Sequence, residues 1–98
     1  MYKIIYSNDA FDDISYIFDN NKFYNTSLKF SKKFYKTINS IIIFPYGGVT
    51  FRSKKLNNIY RKTSAGKYNI FYIIDKNNKE VLIFRVLHHR RNIDILLK

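Results

Sequence analysis

The densest run of chemically competent side chains in the sequence is Phe84-Arg85-Val86-Leu87-His88-His89-Arg90-Arg91. It starts in apolar, strand-forming residues and ends in cations. Strict strand alternation puts Arg85 on the face opposite Phe84 and Val86, and a guanidinium in an apolar strand needs a carboxylate, a phosphate or backbone carbonyls. Two outcomes are open: an internal ion pair, with Asp75 or Glu80 as the nearest acids, or a functional contact. His88 and His89 are the only imidazoles. Such a pair serves either as a hydrogen-bonding element at a strand end or as a general acid or base in RNA cleavage, with arginines stabilising the transition state. Arg61, Lys62 and Lys67 fall where neighbouring strands set them beside Arg85 and Arg90, a basic platform suited to phosphate contact.

Other chemistries are absent. With no cysteine, disulfides, thiolate catalysis and cysteine-ligated zinc are excluded. There is no glycine-rich phosphate loop, no serine-histidine-aspartate arrangement and no metal spacing, so neither a cofactor nor a metal is expected. The carboxylates gather on the first helix with no reason to converge.

The formal charge of +11 is lopsided. Residues 1–49 hold six basic and four acidic residues, and residues 50–98 hold twelve and three. A field of that size attracts polyanions, so nucleic acid, a ribosome or an acidic protein segment are the natural partners. No apolar run approaches bilayer length, and Met1-Tyr2-Lys3-Ile4-Ile5-Tyr6 lacks the pattern of a signal peptide. A cytoplasmic protein with no membrane partner is expected.

The elements that must hold these residues are legible as patterns. Ninety-eight residues suffice for one domain with one core, and residues 1–98 are read as that domain. Tyr2 to Tyr6 form a first strand. Ser7 caps a helix with Asp9, Asp12 and Asp13 in its first turns and Ala10, Ile14, Ile17 and Phe18 at helical spacing, ending at Asp19-Asn20-Asn21. Asn25-Thr26 cap a longer helix whose buried stripe is Phe30, Phe34, Ile38 and Ile41, flanked by Leu28, Tyr35 and Ile42. Pro45 ends it and Gly47-Gly48 turn the chain. Beyond Val49 the period becomes extended, with strands predicted over Asn57–Thr63, Lys67–Asp75 and Glu80–His88. The class is α+β, an N-terminal strand and a helical hairpin packed on a twisted antiparallel sheet in the order β-α-α-β-β-β. Ile70 to Ile74 and Val81 to Phe84 are apolar at nearly every position, although two helices cover only one face. Either an apolar groove for a partner segment lies opposite them, or the chain's own loops shelter that face.

The ordered set Tyr6-Ser7, Ala10, Asp13 and Ile14, then Pro45-Tyr46-Gly47, then Tyr68-Asn69-Ile70-Phe71-Tyr72, and finally Arg85 to Arg91 resembles the RelE/ParE toxin family over essentially the whole chain. The closing motif is the specific part. The resemblance implies a toxin of a type II toxin-antitoxin module, wrapped and silenced by a cognate antitoxin in a hetero-oligomer. RelE-like members cut mRNA on the ribosome with basic residues of the central strands; here those are Arg61 and Arg85, with His88 as the titrating group. ParE-like members poison DNA gyrase, and Lys67, His89, Arg90 and Arg91 are then the target-binding residues. Asn69 stands where many ribonuclease members carry arginine, and the Arg-Val-Leu-His-x-Arg ending is closer to the ParE branch. Gyrase is therefore the expected target, the ribosome and its mRNA the alternative, and a remnant without a target a third reading.

Overall fold

The computed structural model describes residues 1–20, 24–53 and 58–93, the side chains of residues 20, 24–27 and 53 excepted. The first strand, β1 (Lys3–Tyr6), runs into the helix α1 (Asn8–Asn20). Ser7 joins them as the cap expected from sequence. Its Oγ accepts from the Ala10 N–H at 3.0 Å and donates to the Phe84 carbonyl at 3.0 Å, so the helix start is fastened to the last strand. The second helix, α2 (Tyr24–Ile43), is followed by a short 3-10 turn at Pro45–Gly47. The sheet continues with β2 (Val49–Ser53), β3 (Asn58–Ala65), β4 (Tyr68–Asp75) and β5 (Glu80–His88). Asn21 of the predicted helix stop, the Asn25-Thr26 cap side chains, the predicted strand start at Asn57 and the tail after Ile93 lie outside the described residues.

Two helices thus pack on a five-stranded sheet of order β1-β5-β4-β3-β2. The α+β class and the helical hairpin agree with the sequence reading, and two details refine it. β2 is a further strand, antiparallel to β3 with Phe51 opposite Tyr60. β1 pairs parallel to β5, so the sheet is mixed. Parallel pairing needs a long crossover, which the two helices and three intervening strands supply.

The main core lies between helices and sheet. Ala10 and Ile17 of α1 and Phe30, Phe34, Ile38 and Ile41 of α2 pack on Ile70, Tyr72, Val81, Ile83 and Val86. These helix positions are the stripes read from the spacing. The flanking residues differ: Leu28 and Tyr35 are exposed and Ile42 is half-buried.

The opposite face is not an open groove at its centre. Tyr60, Phe71, Phe84, Leu87 and Ile93 form a second buried cluster, with Phe51 and Ile73 packed against it. Phe51 stacks on Tyr60 at 5.3 Å, and Tyr60 meets Phe84 edge-on at 5.7 Å. Wide aromatic side chains thereby cover the face with the chain's own atoms. Ile5 and Leu82 stay partly exposed farther along that face.

Candidate functional site: a cationic end beside a strand bulge

Phe71 pairs with Arg85 and Tyr72 with Ile83, so Phe84 is an extra residue in β5. This β-bulge breaks the alternation on which the placement of Arg85 rested. Phe84 enters the far cluster while Val86 enters the helix-side core, so the two do not share a face. β1 pairs with β5 only as far as Ile83, and beyond that point α1 lies along the strand.

Arg85 there meets Asp13. Its Nε and Nη2 donate to the two carboxylate oxygens at 2.8 Å each, and the Val86 N–H donates to one of them at 3.0 Å. The side chains are only 19% and 14% exposed, which makes this two-pronged pair a structural fastening. The carboxylate raises the guanidinium pKa further, chiefly through that hydrogen bond. The partner is therefore neither Asp75 nor Glu80. Asp75 instead accepts from the Asn78 backbone and side-chain amides in the β4–β5 turn.

Arg61 is also engaged within the fold. Midway along β3, its Nη1 donates to the carbonyls of Tyr46 and Gly48 at 3.0 Å each, and the guanidinium lies 5.2 Å from the centre of the Tyr46 ring. Lys62, on the other face, sits over the Phe51 ring. The expected single platform of Arg61, Lys62, Lys67, Arg85 and Arg90 is thus divided. Neighbouring strand positions point to opposite faces, and the two arginines are held by different elements.

Lys67, His88, His89, Arg90 and Arg91 do come together. The turn between β3 and β4 meets the turn after β5: the His89 N–H donates to the Lys67 carbonyl at 2.8 Å, and the Arg91 N–H to the His88 carbonyl at 2.8 Å. Gly66 makes the first turn with φ of +64°, beneath the side chain of Lys33 from α2. Among the described residues, Lys67, Arg90 and Arg91 have no carboxylate partner. The result is a concentrated, accessible positive surface at one end of the sheet.

The two histidines differ. His89 Nδ1 lies 3.1 Å from the Lys67 carbonyl, which only accepts, so that nitrogen carries the proton. His88 Nδ1 accepts from the Arg90 N–H at 3.2 Å and is therefore bare. Desolvation lowers the His88 pKa, and the nearby His89, Arg90 and Lys67 push it the same way, so the ring is neutral at neutral pH. It stands edge-on to Tyr68 at 5.6 Å and against His89 at 4.4 Å.

Sequence reasoning missed Asp13 as the arginine's partner and Lys33 as a member of the cationic end. Asp13 was read as a helix-dipole residue, although Asp13, Tyr16 and Ile17 recur at i, i+3 and i+4, the spacing of one helix face. Among the described residues no three metal-ligating side chains converge, and no helix is long and apolar enough to cross a membrane.

Residues 4–93 match the sequence model of the ParE toxin of the type II toxin-antitoxin system parDE. The chain belongs to the ParE toxin family. Its fold is shared with a metal-bound toxin from Helicobacter pylori, at a TM-score of 0.66 and 16% identity, covering 91% of this chain and 96% of that one. It is also shared with a chain of the archaeal RelE–RelB complex from Pyrococcus horikoshii, at 0.66 and 10% identity, covering 93% and 98%. At these identities the likeness is one of fold, and it places this ParE-family chain within the RelE/ParE architecture. No curated protein sequence matches it.

Proposed function

We propose that this ParE-family toxin arrests growth by acting on DNA gyrase through its cationic end, Lys67, His89, Arg90 and Arg91, and that a cognate antitoxin neutralises it in the cytoplasm. The observation that carries this reading is the engagement of both strand arginines inside the fold. Arg85 is held by Asp13 and Arg61 by two carbonyls. A ribonuclease built on Arg61, Arg85 and His88 needs those guanidiniums free for phosphate. Asn69, in β4, adds no cation in their place. What remains accessible is a cluster suited to a polyanionic or acidic surface.

The fold-mate from Pyrococcus horikoshii is seen with RelB. On this chain a net charge of +11 suits an acidic, amphipathic antitoxin segment. The alternative, ribosome-dependent mRNA cleavage, draws its support from His88, whose neutral ring lies beside cations that suit a phosphate.

The test sets the purified protein against gyrase and supercoiled DNA, and separately against mRNA on programmed ribosomes. Gyrase-dependent DNA cleavage without mRNA cleavage is the expected result, and the reverse overturns the reading. In cells lacking the antitoxin, Arg90→Ala with Arg91→Ala relieves growth arrest while the melting temperature stays near that of the parent, since exposed substitutions change stability by about 0.5 kcal/mol or less. Undiminished killing by the folded double variant removes the cationic end from the mechanism.

A further inference from the structure

Between α1 and the end of β5 lies a cavity of about 250 Å³. Its floor is apolar, made by the buried Ile17 and Val86. Tyr16, an exposed residue of α1, faces it from one side, and Tyr68 with His88 line it from the sheet. Arg91 is exposed at its rim. Asp13 is the lining carboxylate, and the two-pronged contact with Arg85 neutralises it. Among the described residues that line the cavity, an anion therefore meets Arg91 with the one carboxylate already compensated.

We propose that this cavity binds one nucleoside phosphate unit, with the base against Tyr16 and the Tyr68–His88 pair and the phosphate on Arg91. Three observations converge. The volume lies below the roughly 300–1,000 Å³ of pockets for drug-sized ligands, which suits a single base with its sugar. Aromatic side chains beside apolar lining favour a flat ring, and stacking tolerates any base. A guanidinium at the rim matches a phosphate, and the surrounding charge of Lys67 and Arg90 raises the local anion concentration. The proposal goes beyond the toxin reading and stands whichever macromolecule the toxin attacks. A free nucleotide and one residue of a single strand share this chemistry.

The test titrates the isotope-labelled full chain, at fixed ionic strength, with 5′-AMP, with inorganic phosphate and with a short single-stranded oligonucleotide. AMP is expected to saturate and to shift the NMR signals of Tyr16, Tyr68, His88 and Arg91, with phosphate at least tenfold weaker at the same place. Tyr16→Ala, an exposed change, weakens AMP about tenfold, as loss of one stacked base predicts, leaves phosphate binding unchanged and is rescued by Tyr16→Phe. Tighter binding of the oligonucleotide at these residues assigns the site to a strand, and tighter binding of AMP assigns it to a free nucleotide. Non-saturating shifts spread over the surface lysines, equal affinity for AMP and phosphate, or a Tyr16→Ala variant indistinguishable from the parent each overturn the proposal. Since the readout is binding, its failure is separable from loss of gyrase or ribosome activity.

Discussion

Asp13 and Arg85 are 72 residues apart in sequence and joined by two hydrogen bonds of 2.8 Å, with the Val86 N–H completing the contact at 3.0 Å. The pair closes the gap where β1 ends and β5 bulges, so the first helix becomes the cover of the last strand. A guanidinium that binds a carboxylate through two of its nitrogens fixes the geometry of both elements. Removing one partner therefore differs from removing both.

Asp13→Ala leaves Arg85 part-buried without its acid and the Val86 N–H without an acceptor. A loss of about 2–3 kcal/mol is expected, below the figure for a fully buried pair because both side chains keep some solvent. The double variant Asp13→Leu with Arg85→Met replaces the ions by apolar groups and is expected to lose less than the single variant. Urea denaturation of the parent, Asp13→Ala, the double variant and its two constituent single variants measures this. A double variant as unstable as the sum of its parts contradicts a mutual pair.

How legible this arrangement was depends on the range of the interaction. The helix stripes at Ala10, Ile14 and Ile17 and at Phe30, Phe34, Ile38 and Ile41 were readable because burial repeats at a local period. Ser7 was readable because capping is satisfied within a turn. The extra residue at Phe84 was not, since a run apolar at nearly every position carries no alternation to break. With that register hidden, the orientation of Arg85 and its partner on α1 were hidden too. The parallel β1–β5 pairing depends on chain crossing, and β2, Val49–Ser53, is a short edge strand of five residues whose alternation is brief. Of the cationic end, the residues after β5 stood out as a run and Lys67 as the start of the neighbouring strand, while Lys33 joins it only through the turn at Gly66.

His88 makes the cationic end sensitive to pH. Its pKa lies below the ordinary imidazole value of 6.5, first through desolvation and then through His89, Arg90 and Lys67. The unfolded chain therefore takes up this proton more readily than the folded one. The sign follows: the His88 contribution is fully present above about pH 6.5 and is lost as pH falls through the lower folded value. Protonation also removes the Arg90 N–H contact to Nδ1. The melting temperature is expected to drop less between pH 7 and pH 5 in His88→Gln than in the parent. Asp75 does not blur this window, because its Asn78 hydrogen bonds hold it below 3.8. An NMR titration placing the His88 midpoint above 6.5 contradicts the assignment.

Gly48 and Tyr72 control the turn that anchors Arg61. The buried Tyr72 hydroxyl donates to the Pro45 carbonyl at 2.7 Å, and the Gly48 carbonyl accepts from Arg61. A methyl group at Gly48 would collide with that hydroxyl and approach the Lys62 carbonyl to 3.0 Å. The backbone there is extended, with φ of −76°, so the demand for glycine is one of space. Gly48→Ala is expected to cost about 1–3 kcal/mol, the range for forcing extra volume into a packed site. Tyr72→Phe costs about 1–2 kcal/mol through the lost hydrogen bond and the unsatisfied carbonyl. Combined, they should cost less than their sum, because Tyr72→Phe removes the atom that the new methyl strikes. The Lys62 carbonyl stays in place, so the rescue is partial. Additive losses in denaturant titrations of the four proteins would show that the hydroxyl is not what keeps this position small.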